Sequence, residues 1–243
     1  MVKSVYPFLF AICFYALSIT PVSAQNAINR KGNPSSEGLN SYVFIEEDNK
    51  KGLAALDGQI LVAAEYDNIS ISESYIMLRK NNKKGLAALD GQILVEVEYD
   101  NISISESYMM LRKNNKKGLA ALDGQILVGV EYDNISISES YMMLRKNNKK
   151  GLAALDGQIL VGVEYDNISI SESYISLVKN NKKGLSALDG QILIPVDYDE
   201  ITIKSIYIIT RKGNFFSLYQ QDGTIIFKAE KNLKKINRYT ESH

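Results

Sequence analysis

One set of ionisable side chains returns every 33 residues along this chain of 243. In the unit 74–106 the set is Arg79, Lys80, Lys83 and Lys84, followed by Asp90, Glu96, Glu98, Tyr99, Asp100 and Glu106. Three chemistries are open to it. A pair of carboxylates could serve as acid and base, for instance on a polysaccharide of the cell envelope. The tyrosine-aspartate pairs at 66–67, 99–100, 132–133, 165–166 and 198–199 could offer a ring and a carboxylate to a ligand. The runs "RKNNKK" at 79–84, 112–117 and 145–150 could align as a basic stripe. Its members would be Arg79, Lys80, Lys83, Arg112, Lys113, Lys116, Arg145, Lys146 and Lys149. Such a rim suits an anionic glycan or an acidic protein.

Each has a plainer counterpart. Lysines near strand ends also discourage edge-to-edge aggregation, and the acids of each unit cancel the charge of its bases. A tyrosine after alternating apolar residues suits a core, with its aspartate turning the chain at "YDNI". Catalysis is the weakest reading, because an active site needs one unique constellation and these carboxylates recur in near-identical surroundings. The only histidine is His243, the last residue, and the only cysteine is Cys13. No base is in evidence to activate a serine, and no Asp-x-Asp-x-Asp-Gly loop offers calcium a cage. The expectation is a protein without enzymatic activity, metal or cofactor.

With 28 basic and 28 acidic residues the formal charge is zero, which argues against nucleic acid as partner. The first residues differ from the rest. Lys3, the apolar run "YPFLFAICFYALSI" and the small residues Val22 and Ala24 read as a signal peptide over 1–24, cleaved after Ala24. The mature chain is then expected outside the cytoplasm, in the periplasm, at the cell surface or released. It has no apolar stretch long enough to span a bilayer. Residues 25–40 read as a polar flexible lead-in and 239–243 as a loose tail.

Between them lie six units, 41–73, 74–106, 107–139, 140–172, 173–205 and 206–238. Units three and four are identical in every letter. A helical repeat of this length is rejected by the local pattern. In "QILVEVEYD", Ile93, Val95, Val97 and Tyr99 alternate with polar or outward residues, as on a strand with one buried face. "NISIS" repeats the alternation briefly. Asp90-Gly91 and Asn81-Asn82 suit two-residue primed hairpin turns. Each unit is thus predicted as a three-stranded antiparallel meander plus a short extended connection. Its candidate core is Leu86, Leu89, Ile93, Val95, Val97, Tyr99, Ile102 and Ile104. So few apolar side chains do not offset the ordering of 33 residues, and each unit must lean on a neighbour.

"KKGLAALDGQILVGVEYDNI" resembles the WG-repeat (KWG-repeat) family. The resemblance rests on Gly52, Gly85, Gly118, Gly151 and Gly184, and on the turn glycines Gly58, Gly91, Gly124, Gly157, Gly190 and Gly223. It rests also on Tyr66, Tyr99, Tyr132, Tyr165 and Tyr198, each followed by aspartate, and on Pro195. The family's tryptophan is replaced by Lys51, Lys84, Lys117, Lys150 and Lys183, and by Phe216 in the sixth unit. The resemblance implies a β-repeat scaffold, mostly bacterial and often exported, and no particular reaction. The expected architecture is all-β, with six meanders stacked into an elongated or coiled solenoid-like array. A closed β-propeller is the alternative. The expected role is a non-catalytic scaffold binding a protein or glycan at the cell envelope or outside the cell, set against a polysaccharide hydrolase using the repeated carboxylates. Identical neighbours also invite swapping and self-association.

Overall fold

The computed structural model describes residues 42–231. The leader 1–24, the lead-in 25–40 and the tail 239–243 lie outside the described residues. Among those described there is no helix, and hence none able to cross a membrane. The 23 strands form six separate antiparallel sheets. The first contains β1 (Tyr42–Glu47), β2 (Lys50–Ala55) and β3 (Ile60–Tyr66). The second contains β4 (Asn68–Ile71), β5 (Ile76–Lys80), β6 (Lys83–Ala87) and β7 (Ile93–Tyr99), paired in chain order. Four more sheets repeat this meander, starting at Asn101, Asn134, Asn167 and Glu200. A shared apolar cluster joins each sheet to the next, and among the described residues no such cluster joins the first sheet to the last. The described residues therefore form an open tandem array without the ring closure of a propeller.

The two turns differ, and the difference corrects one expectation. Asn81 and Asn82 take φ of 52° and 61°, the paired left-handed conformation of a type I′ turn, which asparagine tolerates. At Asp90-Gly91 only the glycine has positive φ, 91°. Gly91 N–H donates to Ala88 O at 3.0 Å and Ala88 N–H to Gln92 O at 2.8 Å, closing a three-residue loop. Asp90 accepts instead from the Gln92 amide at 2.9 Å. The motif is an ordinary turn with glycine at its left-handed last position, and the aspartate acts as a side-chain brace.

The "NISI" segment is a strand rather than a connection. Ile69 lies opposite Leu78 and Ile71 opposite Ile76, so each of the five later sheets gains a fourth strand. The only residue between one sheet and the next is the aspartate of "YDN", as with Asp100 between Tyr99 and Asn101.

β7 carries two register shifts against β6. At bulges a strand loses strict alternation, and two core assignments fail. Ile93 is 37% exposed, and Ile104, the last residue of its short strand, is 40% exposed. Leu94 turns inward in part, and Met109 and Leu111, which alternate on the following strand, are fully buried. One core cluster joins Leu86, Val95 and Tyr99 of the second sheet to Ile102, Met109, Leu111 and Ala120 of the third. The other clusters likewise draw on two consecutive sheets. The sequence repeats because each sheet supplies half of the core on either side of it.

Ser186 is a local flaw in this scheme. It is fully buried, and its hydroxyl has no hydrogen-bond partner. The equivalent positions hold Ala54, Ala87, Ala120 and Ala153. Ser186→Ala should stabilise the chain by about 1 kcal/mol, since it removes a buried unsatisfied hydroxyl. A rise in the thermal midpoint checks this, and a fall would show that the hydroxyl has a partner.

Candidate functional site

The boundary between two sheets is also where the ionisable residues meet. Asp100 holds three groups at once. Its own amide donates to Arg112 O at 2.8 Å, its carboxylate accepts from the Asn114 amide at 2.7 Å, and Lys83 pairs with its other oxygen. Glu98 accepts from Lys113 Nζ at 2.7 Å. The second sheet's acids thus hold the third sheet's hairpin. The same pairing recurs between Lys80 and Glu65 at 2.7 Å and between Lys146 and Glu131 at 2.5 Å. Lys116 with Asp133 and Lys149 with Asp166 repeat the other half. Arg79, Arg112 and Arg145 each donate to an asparagine of their own turn, Asn82, Asn115 and Asn148, at 3.2–3.3 Å.

The basic rim of the sequence is thus a row of hairpins whose lysines are paired with carboxylates. The lysines at the family's tryptophan position have a different task. Lys84 is half-buried and donates to Asn101 Oδ1 at 2.7 Å, clamping the next sheet's first strand. Lys51, Lys117 and Lys150 do the same to Asn68, Asn134 and Asn167. Tyr66, Tyr99, Tyr132 and Tyr165 are buried in the inter-sheet cores. Tyr198 is half-buried, and its hydroxyl meets that of Tyr219.

These contacts fix the charge states. The hydrogen bond from Lys113 holds Glu98 below the usual 4.5, and those from Lys83 and the Asn114 amide hold Asp100 below the usual 3.8. Burial pushes the Tyr99 phenol up, and Tyr66 reaches about 12 through burial and its neighbour Glu65. At neutral pH the boundary presents ionised carboxylates and neutral phenols.

Beside two of these ion pairs the surface opens into a groove. One of about 450 Å³ is lined by Glu98, Tyr99, Lys113, Asn114, Ile126 and Val130, among others. The next, of about 360 Å³, is lined by the equivalents Glu131, Tyr132, Lys146, Asn147, Ile159 and Val163. The isoleucine at the floor belongs to an exposed row: Ile60, Ile93, Ile126, Ile159, Ile192 and Ile225 are 37–56% exposed. Sequence reasoning placed this row in the core and so missed it. The available signal was its position directly after the "DGQ" turn, ahead of the first bulge. Gly129 and Gly162 stand three residues further along their strands, with open space where a side chain would be.

Small meander sheets, each completing its neighbour's core, with one groove recurring at two successive boundaries, define a tandem β-repeat scaffold. Residues 56–83 match the family model described as WG containing repeat, which is consistent with a WG-repeat protein. No curated protein matches it. A eukaryotic initiation factor is similar at 9% identity and a TM-score of 0.29, covering 77% of this chain and 62% of that one. Hsv2p of Kluyveromyces lactis is similar at 6% identity and a TM-score of 0.27, covering 74% and 71%. PorZ, described as an essential surface component of the type-IX secretion system of Porphyromonas gingivalis, is similar at 8% identity and a TM-score of 0.27, covering 79% and 31%.

Proposed function

We propose that this protein is an exported, non-catalytic scaffold that binds a protein or glycan at the bacterial cell envelope or outside the cell. The observation that carries the reading is the isoleucine-floored groove recurring at successive sheet boundaries. A groove with an apolar floor, a tyrosine edge and a lysine-glutamate rim is a weak site alone. Several at fixed spacing on one array raise the effective concentration of each for a ligand that itself repeats. The fixed charges and the absence of any unique constellation among the grooves favour binding over hydrolysis. Export rests on the leader-like sequence over 1–24.

The test uses the whole mature chain against isolated envelope glycans and surface proteins. Ile126→Asp, then Ile126→Asp with Ile159→Asp, should weaken capture successively, by about tenfold or more at each step, as expected when linked weak sites are removed. Capture that is unaffected by both substitutions would remove the groove from the function.

A further inference from the structure

The first sheet breaks the repeat. The later five sheets have four strands each and the first has three, so that β1 has no strand on its outer side among the described residues. In the second sheet that place belongs to the segment arriving from the preceding unit. Ile69 and Ile71 lie opposite Leu78 and Ile76, and two acids just before them complete the fit. Glu65 accepts from Lys80, and Asp67 accepts from the Asn81 amide at 2.7 Å. The arrangement recurs at Glu98 and Asp100 with Lys113 and Asn114. The fold therefore displays repeatedly what an incoming strand needs: two charged residues, one position apart, followed by two alternating apolar residues.

β1 keeps the apolar half of this acceptor and reverses the charged half. Val43 and Ile45 stand where the second sheet has Ile76 and Leu78, which are fully buried there, yet both are only half-buried. Glu46 and Glu47 stand where it has Arg79 and Lys80. Both glutamates are exposed, and neither forms an ion pair among the described residues. One period upstream of Asn68–Ile71 the chain's own sequence is "SSEG", with no isoleucine and with another acid, which is the wrong chemistry for an acidic edge.

We propose that β1 is an acceptor edge for an extended segment of a partner protein, bearing lysine or arginine at the two charged positions and apolar residues at the two that follow. The segment adds antiparallel to β1 and completes the first sheet. Main-chain hydrogen bonds supply affinity, the half-buried Val43 and Ile45 accept the apolar side chains, and Glu46 and Glu47 select for basic partners. This surface is separate from the grooves and does not depend on their role.

Two labelled peptides test it on the whole mature chain at low ionic strength. "EYDNISI" copies residues 65–71, and "KYKNISI" reverses its two charges. The basic peptide should bind at least about tenfold more tightly, from charge complementarity across the edge. The double variant Glu46→Lys, Glu47→Lys should reverse the preference while its far-ultraviolet dichroism stays unchanged. Equal affinity for both peptides, no binding of either, or an unchanged preference in the double variant would overturn the proposal. Sedimentation of the chain alone supplies a further arm. A dimer abolished by the same double variant would make the occupant a second copy of this chain and would also overturn it.

Discussion

Gly124→Ala will weaken the array far more than Gly58→Ala, although both glycines occupy the same turn with φ near +90°. Placing alanine in that conformation costs about 1–2 kcal/mol at either position. At Gly58 nothing lies within 4 Å of the added Cβ, since among the described residues no sheet precedes the first. At Gly124 the Cβ would lie 2.2 Å from the carbonyl oxygen of Leu94 and 3.0 Å from its Cα. That obstacle is backbone of the neighbouring sheet and cannot rotate aside. The second and third sheets must separate, straining the cluster that holds Leu86, Met109 and Leu111. Overpacking adds about 1–3 kcal/mol, so Gly124→Ala should cost about 2–5 kcal/mol in total. Because stability in such arrays passes through nearest neighbours, urea unfolding of this variant should also broaden as the two ends uncouple. Equal losses for the two variants would mean that these turns do not form the contact between sheets.

That comparison explains which parts of the fold could be read from sequence. The 33-residue period, the strand character of "ILVEVEY" and the Asn81-Asn82 turn are local properties, set by alternation and by φ preference. The pairing of "NISI" with the strand after it is visible only when two strands lie side by side, because four residues alternate too briefly to declare a partner. The bulges in β7 arise from the fit of one strand on another, with Gly85 pressed so closely that a Cβ would meet Val95 O at 2.7 Å. No composition rule announces them, and Ile93 was misplaced for that reason. The glycine of "DGQ" was legible as a turn residue. Its second role, as the point where one unit touches the last, has no sequence signature apart from its recurrence.

The candidate site was legible in its parts and illegible in its pairing. "RKNNKK" is conspicuous as a basic run, and Glu98 and Asp100 as acids, yet what matters is that Lys113 lies 15 residues after Glu98 and Asp100 lies 17 after Lys83. Those separations span a sheet boundary, so the partners are set by how sheets stack. The constant offset of acid and lysine from unit to unit was the available clue. The replacement of Arg79 and Lys80 by Glu46 and Glu47 in the first unit was likewise in plain view. Its meaning depends on knowing that the later lysine faces an incoming strand.

The ion pairs should make the array sensitive to acid as a whole. Glu65, Glu98, Glu131 and Glu164 are held below the usual 4.5 by their lysines. Asp67, Asp100, Asp133, Asp166 and Asp199 are held below the usual 3.8 by lysine and by a turn amide. A carboxyl whose folded value is depressed contributes stability that is complete above its unfolded value. That contribution is lost as pH falls through the folded value. The thermal midpoint should therefore be nearly flat from neutral pH down to about 5, then drop steeply towards 3 as carboxylates at every boundary protonate together. Each pair is exposed and individually weak, and the size of the drop comes from their number. Added salt should lower the plateau and shrink the drop, since it screens the charged form. Asp100→Asn separates this cause from simple loss of a hydrogen bond. Its amide oxygen can still accept from the Asn114 N–H, but it offers Lys83 no charge. The variant should be less stable than the parent at pH 7 and indistinguishable from it well below the folded value of Asp100, where the parent carboxyl is itself neutral. A deficit of constant size across the whole pH range would show that the aspartate acts through shape alone, and that the boundaries are held by their apolar cores without help from charge.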